Sequence, residues 1–277
     1  MVKTNLLTIA AEIAKEAGKE ILKVYERSGN IDVTIKADDS PLTEADQRAH
    51  QPIVAGLTQQ TPDIPVLSEE SKLAGFNERG QWRTYWLVDP LDGTKEFIKR
   101  NGEFTVNIAL IENHRPTLGV VHVPVTGVTY QGQVGQGASR QDADGALHPI
   151  GCRKISPGQP GLGIVASRHH RGAELDSLIE TLRRKFPDVE LLSMGSSLKI
   201  CLVAEGKADL YPRLAPTCEW DTAAAHAVLA AAGGVLVDTG FNELRYNTKE
   251  ELLNPYFIAI ADSSYPWQKA MELGKAT

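Results

Sequence analysis

The chain of 277 residues contains only three cysteines, Cys152, Cys201 and Cys218, and they form no CxxC pair. An odd number of widely spaced cysteines argues against a disulfide framework and against a zinc site, and a reducing compartment fits it better. The sequence also lacks an excess of basic residues, since 29 Lys and Arg stand against 35 Asp and Glu for a formal net charge of −6. This charge excludes the broad basic footprint of a nucleic-acid-binding protein, so an anionic ligand would need bound metal or a local basic patch.

Long apolar runs are missing too. No stretch approaches the roughly 20 residues that cross a bilayer. Five charged residues interrupt the N-terminal segment, which argues against a signal peptide: Glu12, Lys15, Glu16, Lys19 and Glu20. We expect a cytoplasmic protein. The sequence decides neither whether it attaches peripherally to the inner membrane nor which oligomer it forms. Hydrophobic residues make up 42% of the chain and charged residues 23%, as in an ordinary globular protein of one large or two modest domains.

The first half predicts helix followed by antiparallel sheet. Apolar residues from Leu6 to Val24 recur every three or four positions and predict an amphipathic helix that ends at Gly29-Asn30. Residues 104–111, 117–123 and 128–134 are β-rich runs separated by turns, which predicts a meander. Residues 136–160 are rich in Gly, Pro, Asp and Gln. We place a domain boundary there, between residues 1–152 and 153–277.

The second half alternates between strand and helix patterns, which predicts a layered α/β domain with a partly parallel sheet. The predicted strands are residues 163–167, 190–193, 209–211, 235–238 and 257–260, and the predicted helices are residues 173–185, 197–205, 221–232 and 265–273.

The most informative stretch runs from Tyr85 to Thr94. It predicts a buried strand that ends at Asp89, because Pro90 fixes its own φ and interrupts the ladder. A tight turn would bring Asp92 beside Asp89 and free backbone carbonyls, including that of Leu91, to face a cation. A short helix over residues 95–99 would place the amides of Gly93 and Thr94 at its N-terminus, a natural anion site. Hard oxygen ligands beside a phosphate site suit Mg²⁺ and predict metal-assisted phosphate-ester hydrolysis.

Three more acids have both an ordinary and a functional interpretation. Asp46 has the spacing of a helix cap with Thr43, Glu69 follows a short predicted strand, and Asp221 opens an alanine-rich helix whose dipole it would favour. If these acids join Asp89 and Asp92, each pair at 4 Å repels by about 4 kcal/mol at an effective dielectric near 20. Such a cluster requires cations, and we expect two or three Mg²⁺. Thr94, hydrogen-bonded to Asp46, would then orient the attacking water.

These motifs resemble those of the inositol monophosphatase superfamily, which comprises Mg²⁺-dependent, lithium-sensitive phosphatases. The resemblance lies in Asp-Pro-Leu-Asp-Gly-Thr after a strand, Glu-Glu upstream and Trp-Asp near the C-terminal helix, and it extends over nearly the whole chain. Within the superfamily the sequence is most similar to the bacterial 3′(2′),5′-bisphosphate nucleotidases, through residues 40–46, 195–199, 204–213 and 219–224.

The resemblance implies a layered α/β/α/β/α sandwich and a role for each matching residue. The metal ligands would be Glu69, Asp89, the Leu91 carbonyl, Asp92 and Asp221. Asp46 and Thr94 would activate the water with Glu69 beside them, and Gly93 and Thr94 would bind the phosphate.

Substrate choice depends on a second set of residues. The basic segment Arg168-His169-His170-Arg171 would bind a second phosphate together with Lys199 and Arg213. His169, Gly195 and Ser196 would lie beside the nucleotide, and Asp221 would lie at its reacting end. The alternative is a solvated basic loop with a surface lysine and a structural arginine. We expect hydrolysis of adenosine 3′,5′-bisphosphate to AMP and phosphate, with its 5′-phosphosulfate relative as a further substrate. An inositol or sugar monophosphatase, or a non-catalytic phosphometabolite sensor, are the alternatives.

Overall fold

The computed structural model describes residues 6–27, 33–35, 41–166 and 172–272. Its helices are α1 (Leu6–Tyr25), α2 (Glu44–Gln60), α3 (Phe76–Arg79), α4 (Thr94–Ile98), α5 (Ala173–Arg183), α6 (Leu198–Ala204), α7 (Glu219–Ala231) and α8 (Trp267–Met271). Within the described ranges, no helix is both long and apolar enough to span a membrane.

The strands are β1 (Val33–Ile35), β2 (Pro41–Thr43), β3 (Val66–Ser68), β4 (Thr84–Asp92), β5 (Thr105–Glu112), β6 (Arg115–His122), β7 (Thr129–Gln133), β8 (Gly137–Gln141), β9 (Leu147–Ile150), β10 (Gly161–Ala166), β11 (Asp188–Ser193), β12 (Leu210–Arg213), β13 (Val235–Asp238) and β14 (Phe257–Ile260). β1 and β2 form a small antiparallel pair.

The larger sheet has seven strands in the order β3-β4-β5-β6-β7-β8-β9. β3 pairs with β4 in parallel and all the other pairs are antiparallel. The predicted meander is confirmed as β5–β7. β8 and β9 lie inside residues 136–160, so much of this stretch belongs to the first sheet. The boundary after residue 152 falls between β9 and β10 and stays a prediction.

The second sheet has five strands in the order β11-β10-β12-β14-β13. β10 pairs in parallel with both β11 and β12, whereas β14 is antiparallel to β12 and β13. The predicted alternation of strand and helix, and the partly parallel sheet, are therefore confirmed.

The elements stack in five layers. Helices α1 and α2 cover one face of the seven-stranded sheet, α6 and α7 lie between the sheets, and α5 and α8 cover the outer face of the second sheet. Side chains of β4 alternate between two cores: Tyr85 and Leu87 face α7, while Trp86 and Val88 face α1 and α2. This period of two explains why β4 is apolar on both faces from Tyr85 to Val88. The expected α/β/α/β/α sandwich is confirmed.

The central position of α7 accounts for its alanine-rich sequence. The helix approaches β6 so closely that a Cβ on Gly119 would lie 2.1 Å from the carbonyl oxygen of Ala224. Only glycine on the strand and small residues on the helix allow this contact. The tight packing fixes the start of α7, and with it Asp221, relative to β4.

Two predicted boundaries differ from the structure. β4 continues past Asp89 to Asp92, which pairs with Thr105 across a shift in register. Pro90 is tolerated there because the irregularity already interrupts the ladder. Helix α1 ends at Tyr25, and Gly29-Asn30, where we expected its end, lies outside the described residues.

Candidate active site

Three acids meet at the end of β4. Carboxylate oxygens of Asp89, Asp92 and Asp221 all lie within 4.8 Å of one another. The first two come from β4 and the third from the first turn of α7. Elements from both halves of the chain therefore build one acidic cluster, as the sequence predicts for these three residues.

Backbone and side-chain donors hold each of the three carboxylates by one oxygen. Asp89 Oδ1 accepts from the Leu91 amide at 3.0 Å. Asp92 Oδ2 accepts from the Ser197 amide at 2.6 Å and from Asn107 Nδ2 at 3.3 Å. Asp221 Oδ2 accepts from the Cys218 amide at 2.8 Å, as part of a helix capping box. Within the described ranges the other oxygen of each acid accepts no hydrogen bond.

Burial and mutual repulsion disfavour the charged forms of these acids. The pKa of Asp89 is raised well above its usual value by burial, and further by Glu69, Asp92, Asp221 and Asp46. The pKa of Asp221 is raised by burial and then by Asp92 and Glu69. A buried group of hard carboxylate oxygens under such repulsion matches the donor set that Mg²⁺ prefers. The residues present thus fit a divalent cation.

Glu69 and Asp46 act on this cluster through their charge. Glu69 follows β3, and its amide donates to the Val88 carbonyl at 3.1 Å, which sets it beside β4. Asp46 is 2% exposed and is the N3 residue of α2. Its Oδ2 accepts from the amide and the hydroxyl of Thr43, both at 2.7 Å, so the predicted cap is confirmed. The ligand role of Glu69 stays a prediction.

The hydrogen bond that we expected between Asp46 and Thr94 is not formed among the described residues. The capping box instead holds Asp46 Oδ2 on Thr43, and Thr94 begins α4. Helix α4 does contact β2, the strand that ends at Thr43. The water-activating role of the Asp46–Thr94 pair stays a prediction, without a direct bond between its members.

Gly93 allows the chain to turn from β4 into α4. Its φ of +95° and ψ of 44° lie in the left-handed region, where glycine pays no steric penalty. Leu91 buries its side chain in the core under α1 and α2. The Leu91 carbonyl as a metal ligand, and the Gly93 and Thr94 amides as a phosphate site, stay predictions.

A cleft extends from the acids to a basic wall. Asp92, Gly93 and Asp221 line it, and so do Ser196, Lys199 and Arg213, together with Tyr211 and Thr217. Besides Gly93 and Asp221, three residues predicted to bind the substrate thus share a cleft with the acids: Ser196, Lys199 and Arg213. Gly195 adjoins them, and its amide donates to Glu103 Oε2 at 2.8 Å. Arg168 and His169 lie outside the described residues.

This wall contains one buried cation, Lys199, and a partly exposed one, Arg213, whose Nε is buried. Lys199 is 8% exposed, and its Nζ lies 5.6 Å from the centroid of the Tyr211 ring. Burial lowers the pKa of Lys199 to about 8, although Asp92 opposes this shift. Arg213 donates from Nη2 to the Pro216 carbonyl at 3.1 Å, while its buried Nε has no hydrogen-bond partner among the described residues. Such donors suit an anionic group of a ligand.

Sequence reasoning missed the residues that hold Asp92. Asn107 and Thr105 on β5 are 1% and 0% exposed, and they lie beside Ser197. A signal was present, because two polar residues at alternate positions interrupt an otherwise apolar strand and so face the same side. Their partner, however, lies about 90 positions along the chain.

Comparison with known proteins agrees with this geometry. The model of the inositol monophosphatase family matches residues 3–270. The chain is 48% identical over 252 residues to the 3′(2′),5′-bisphosphate nucleotidase CysQ of Escherichia coli K12, covering 91% of this chain and 98% of that protein. It is 36% identical over 270 residues to CysQ of Haemophilus influenzae, covering 97% of each.

Solved structures of proteins in this family resemble the chain in fold. CysQ from Bacteroides thetaiotaomicron, described as a bacterial member of the inositol monophosphatase family, superposes with a TM-score of 0.81 at 45% identity, over 94% of this chain and 98% of that one. The inositol monophosphatase of Thermotoga maritima shares the fold, with a TM-score of 0.74 at 21% identity over 97% of this chain and 96% of that one. The chain therefore belongs to the inositol monophosphatase family of phosphatases.

Proposed function

We propose that the protein is a Mg²⁺-dependent 3′(2′),5′-bisphosphate nucleotidase that hydrolyses adenosine 3′,5′-bisphosphate to AMP and phosphate. The 5′-phosphosulfate relative, 3′-phosphoadenosine 5′-phosphosulfate, would give adenosine 5′-phosphosulfate. One observation carries the proposal: a cluster of three carboxylates and a basic wall, formed by Lys199 and Arg213, line the same cleft. The names of the CysQ relatives support the nucleotide substrate.

In this proposal Asp89, Asp92 and Asp221 hold divalent cations, with Glu69 and the Leu91 carbonyl completing the ligand set. Bound Mg²⁺, at two or three ions per site, would supply neutralisation of the phosphate oxygens and activation of a water. The amides of Gly93 and Thr94 orient the 3′-phosphate. Asp46 and Thr94 position the water that attacks phosphorus, and the bond to the 3′-oxygen breaks.

The basic wall accounts for the choice of a bisphosphate. Lys199 and Arg213 would face the 5′-phosphate, which a monophosphate lacks. Charge-assisted hydrogen bonds from these two residues would discriminate strongly, because leaving the buried Lys199 ammonium and the buried Arg213 Nε without a partner is costly. Gly195 and Ser196, with Arg168 and His169, would contact the nucleotide. The substrate is thus a small molecule, and the net charge of −6 supports the absence of nucleic acid from its partners.

We also propose a role in sulfur metabolism, lithium sensitivity and a cytoplasmic location. The free cysteines Cys152, Cys201 and Cys218 are consistent with a reducing compartment.

A panel of phosphate-release assays tests the substrate. Purified protein with Mg²⁺ is offered adenosine 3′,5′-bisphosphate, its 5′-phosphosulfate, inositol 1-phosphate and fructose 1,6-bisphosphate, with EDTA as the control. We expect the highest kcat/KM for the adenosine bisphosphate and no release in EDTA. A preference for inositol 1-phosphate would reject the nucleotide substrate and identify an inositol monophosphatase. Tight nucleotide binding without phosphate release would identify a sensor instead.

A further inference from the structure

Three buried polar side chains form a closed ring behind Asp92. Thr105 Oγ1 lies 3.0 Å from Asn107 Oδ1. Ser197 Oγ lies 2.9 Å from the same oxygen, and the two hydroxyls are 3.0 Å apart. All three residues are at most 4% exposed. The ring joins β5 of the first sheet to the residue that precedes α6.

The carboxylate of Asp92 fixes the orientation of the Asn107 amide. Two hydroxyls, which can donate or accept, lie at one end of the side chain, and a carboxylate oxygen of Asp92, which can only accept, lies at the other. The NH₂ group therefore faces Asp92 and the amide oxygen accepts from the hydroxyls. Turning the amide over would place its oxygen against a carboxylate oxygen.

Asp92 is thereby held by donors from both halves of the molecule. Asn107 Nδ2 donates to its Oδ2 from β5, and the Ser197 amide donates to the same oxygen from the start of α6. The hydroxyl of Ser197 bonds Asn107 in turn. The Gly195–Ser197 segment, part of which lines the cleft, is therefore tied to Asp92 by the backbone of Ser197 and through Asn107.

We propose that Asn107 is a positioning residue of the metal site, which fixes Asp92 so that its second oxygen faces the cation. The proposal rests on the metal site of the proposed function, but not on the identity of the substrate. Partners that orient a metal-binding carboxylate commonly change metal affinity by about 10- to 100-fold when removed. A purely structural role predicts a loss of stability with unchanged metal affinity.

The test measures Mn²⁺ binding to the full chain without substrate, by electron paramagnetic resonance, beside the thermal unfolding temperature. We expect Asn107→Ala to weaken Mn²⁺ binding by about 10-fold or more. Thr105→Val removes a hydroxyl of the ring but keeps the bond from Asn107 to Asp92, so we expect a smaller loss. Thr105→Ser restores the hydroxyl and should restore the affinity.

Thr129→Val provides the matched control. Thr129 is also a fully buried threonine of the seven-stranded sheet, and its hydroxyl bonds His122 rather than the site. We expect it to lower thermal stability and leave Mn²⁺ affinity unchanged. Wild-type affinity in Asn107→Ala, or an equal loss in Thr105→Val and Thr129→Val, would overturn the proposal. If Asn107→Ala does not fold, the comparison of the two threonine variants decides.

Phosphate release by the wild-type protein separates this inference from the proposed function. Suppose that Mn²⁺ binding is weakened in Asn107→Ala but the wild-type protein does not hydrolyse adenosine 3′,5′-bisphosphate. The positioning role of Asn107 then stands, and the proposed substrate is refuted. If the wild-type protein hydrolyses the nucleotide and the variants bind Mn²⁺ with unchanged affinity, the proposed function stands and the positioning role of Asn107 is refuted.

Discussion

Replacing Asp221 by Asn should make the metal-free protein more stable while it weakens the response to Mg²⁺. At 4.8 Å, the largest separation within the cluster, two unit charges repel by about 3.5 kcal/mol at an effective dielectric of 20. Asp221 takes part in two of the three pairs, so between fully charged groups about 7 kcal/mol or more of repulsion would disappear. The amide oxygen of Asn can still accept from Cys218, so the helix cap is kept.

The net gain in stability is smaller than this repulsion between full charges, because proton uptake already relieves part of it. The raised pKa values of Asp89 and Asp221 express that relief, and each pKa unit corresponds to about 1.4 kcal/mol. We therefore expect the free energy of unfolding in EDTA to rise by about 2 kcal/mol at pH 7. For a chain of this length that raises Tm by about 4 °C.

Thermal unfolding of both proteins, in EDTA and in a Mg²⁺ series, measures this difference. The wild-type Tm should rise with Mg²⁺, since a ligand that binds only the folded state stabilises it, and the Asp221→Asn Tm should rise less. Asp144→Asn is a suitable control, because this exposed carboxylate also accepts from a backbone amide but lies outside the cluster. A variant that is less stable than wild type in EDTA would refute the reasoning.

Three further predictions concern a ligand, a specificity residue and a buried histidine. Asp92→Asn should reduce Mg²⁺-dependent phosphate release by about 100-fold or more with an unchanged circular dichroism spectrum; wild-type turnover would contradict its role as a ligand. Arg213→Ala should lower kcat/KM for adenosine 3′,5′-bisphosphate by about 10- to 100-fold and affect inositol 1-phosphate less, whereas equal losses would remove its role in specificity. Burial, and secondarily Lys15, lowers the pKa of His122 to about 4, so between pH 6.5 and 4 the unfolded chain binds a proton that the folded chain does not. The contribution of His122 to the unfolding free energy should therefore fall by up to about 3 kcal/mol as the pH falls through this range. In urea titrations, the difference in unfolding free energy between wild type and His122→Gln should change by about 1.4 kcal/mol per pH unit; a difference that does not change with pH would contradict the assignment.

The parts of the structure that the sequence predicts well depend on residues close together in the chain. The Thr43–Asp46 capping box needs a spacing of three residues. The alternation of strands and helices after β10 follows from apolar runs of the length of one element. The acids at the end of β4 follow each other within four positions. Local sterics and hydrogen bonding decide such features, so the sequence pattern predicts them directly.

The parts that were missed depend on distant partners. β8 and β9 lie in a segment whose composition is typical of loops, and β8 is only partly buried, so no apolar alternation marks them. Extension of β4 to Asp92 requires Thr105 as a partner. The bonds of Asn107 require Ser197, which belongs to the other half of the chain. None of these pairings has a local signature, because tertiary packing selects them.

Asp46 and Asp221 show why the ordinary and the functional interpretation of an acid need not compete. Both are the N3 residue of a helix, and each uses Oδ2 to accept from the backbone amide of its N-cap, Thr43 or Cys218. A capping box fixes a carboxylate by one oxygen at a defined place on the first turn. The box thereby also fixes the direction of the other oxygen, which in Asp221 accepts no hydrogen bond among the described residues. A carboxylate oxygen of Asp221 lies within the cluster. In the proposed metal site, helix capping would thus prearrange an acid for a cation, because the bond that stabilises the helix also removes rotational freedom that metal binding would otherwise have to restrict.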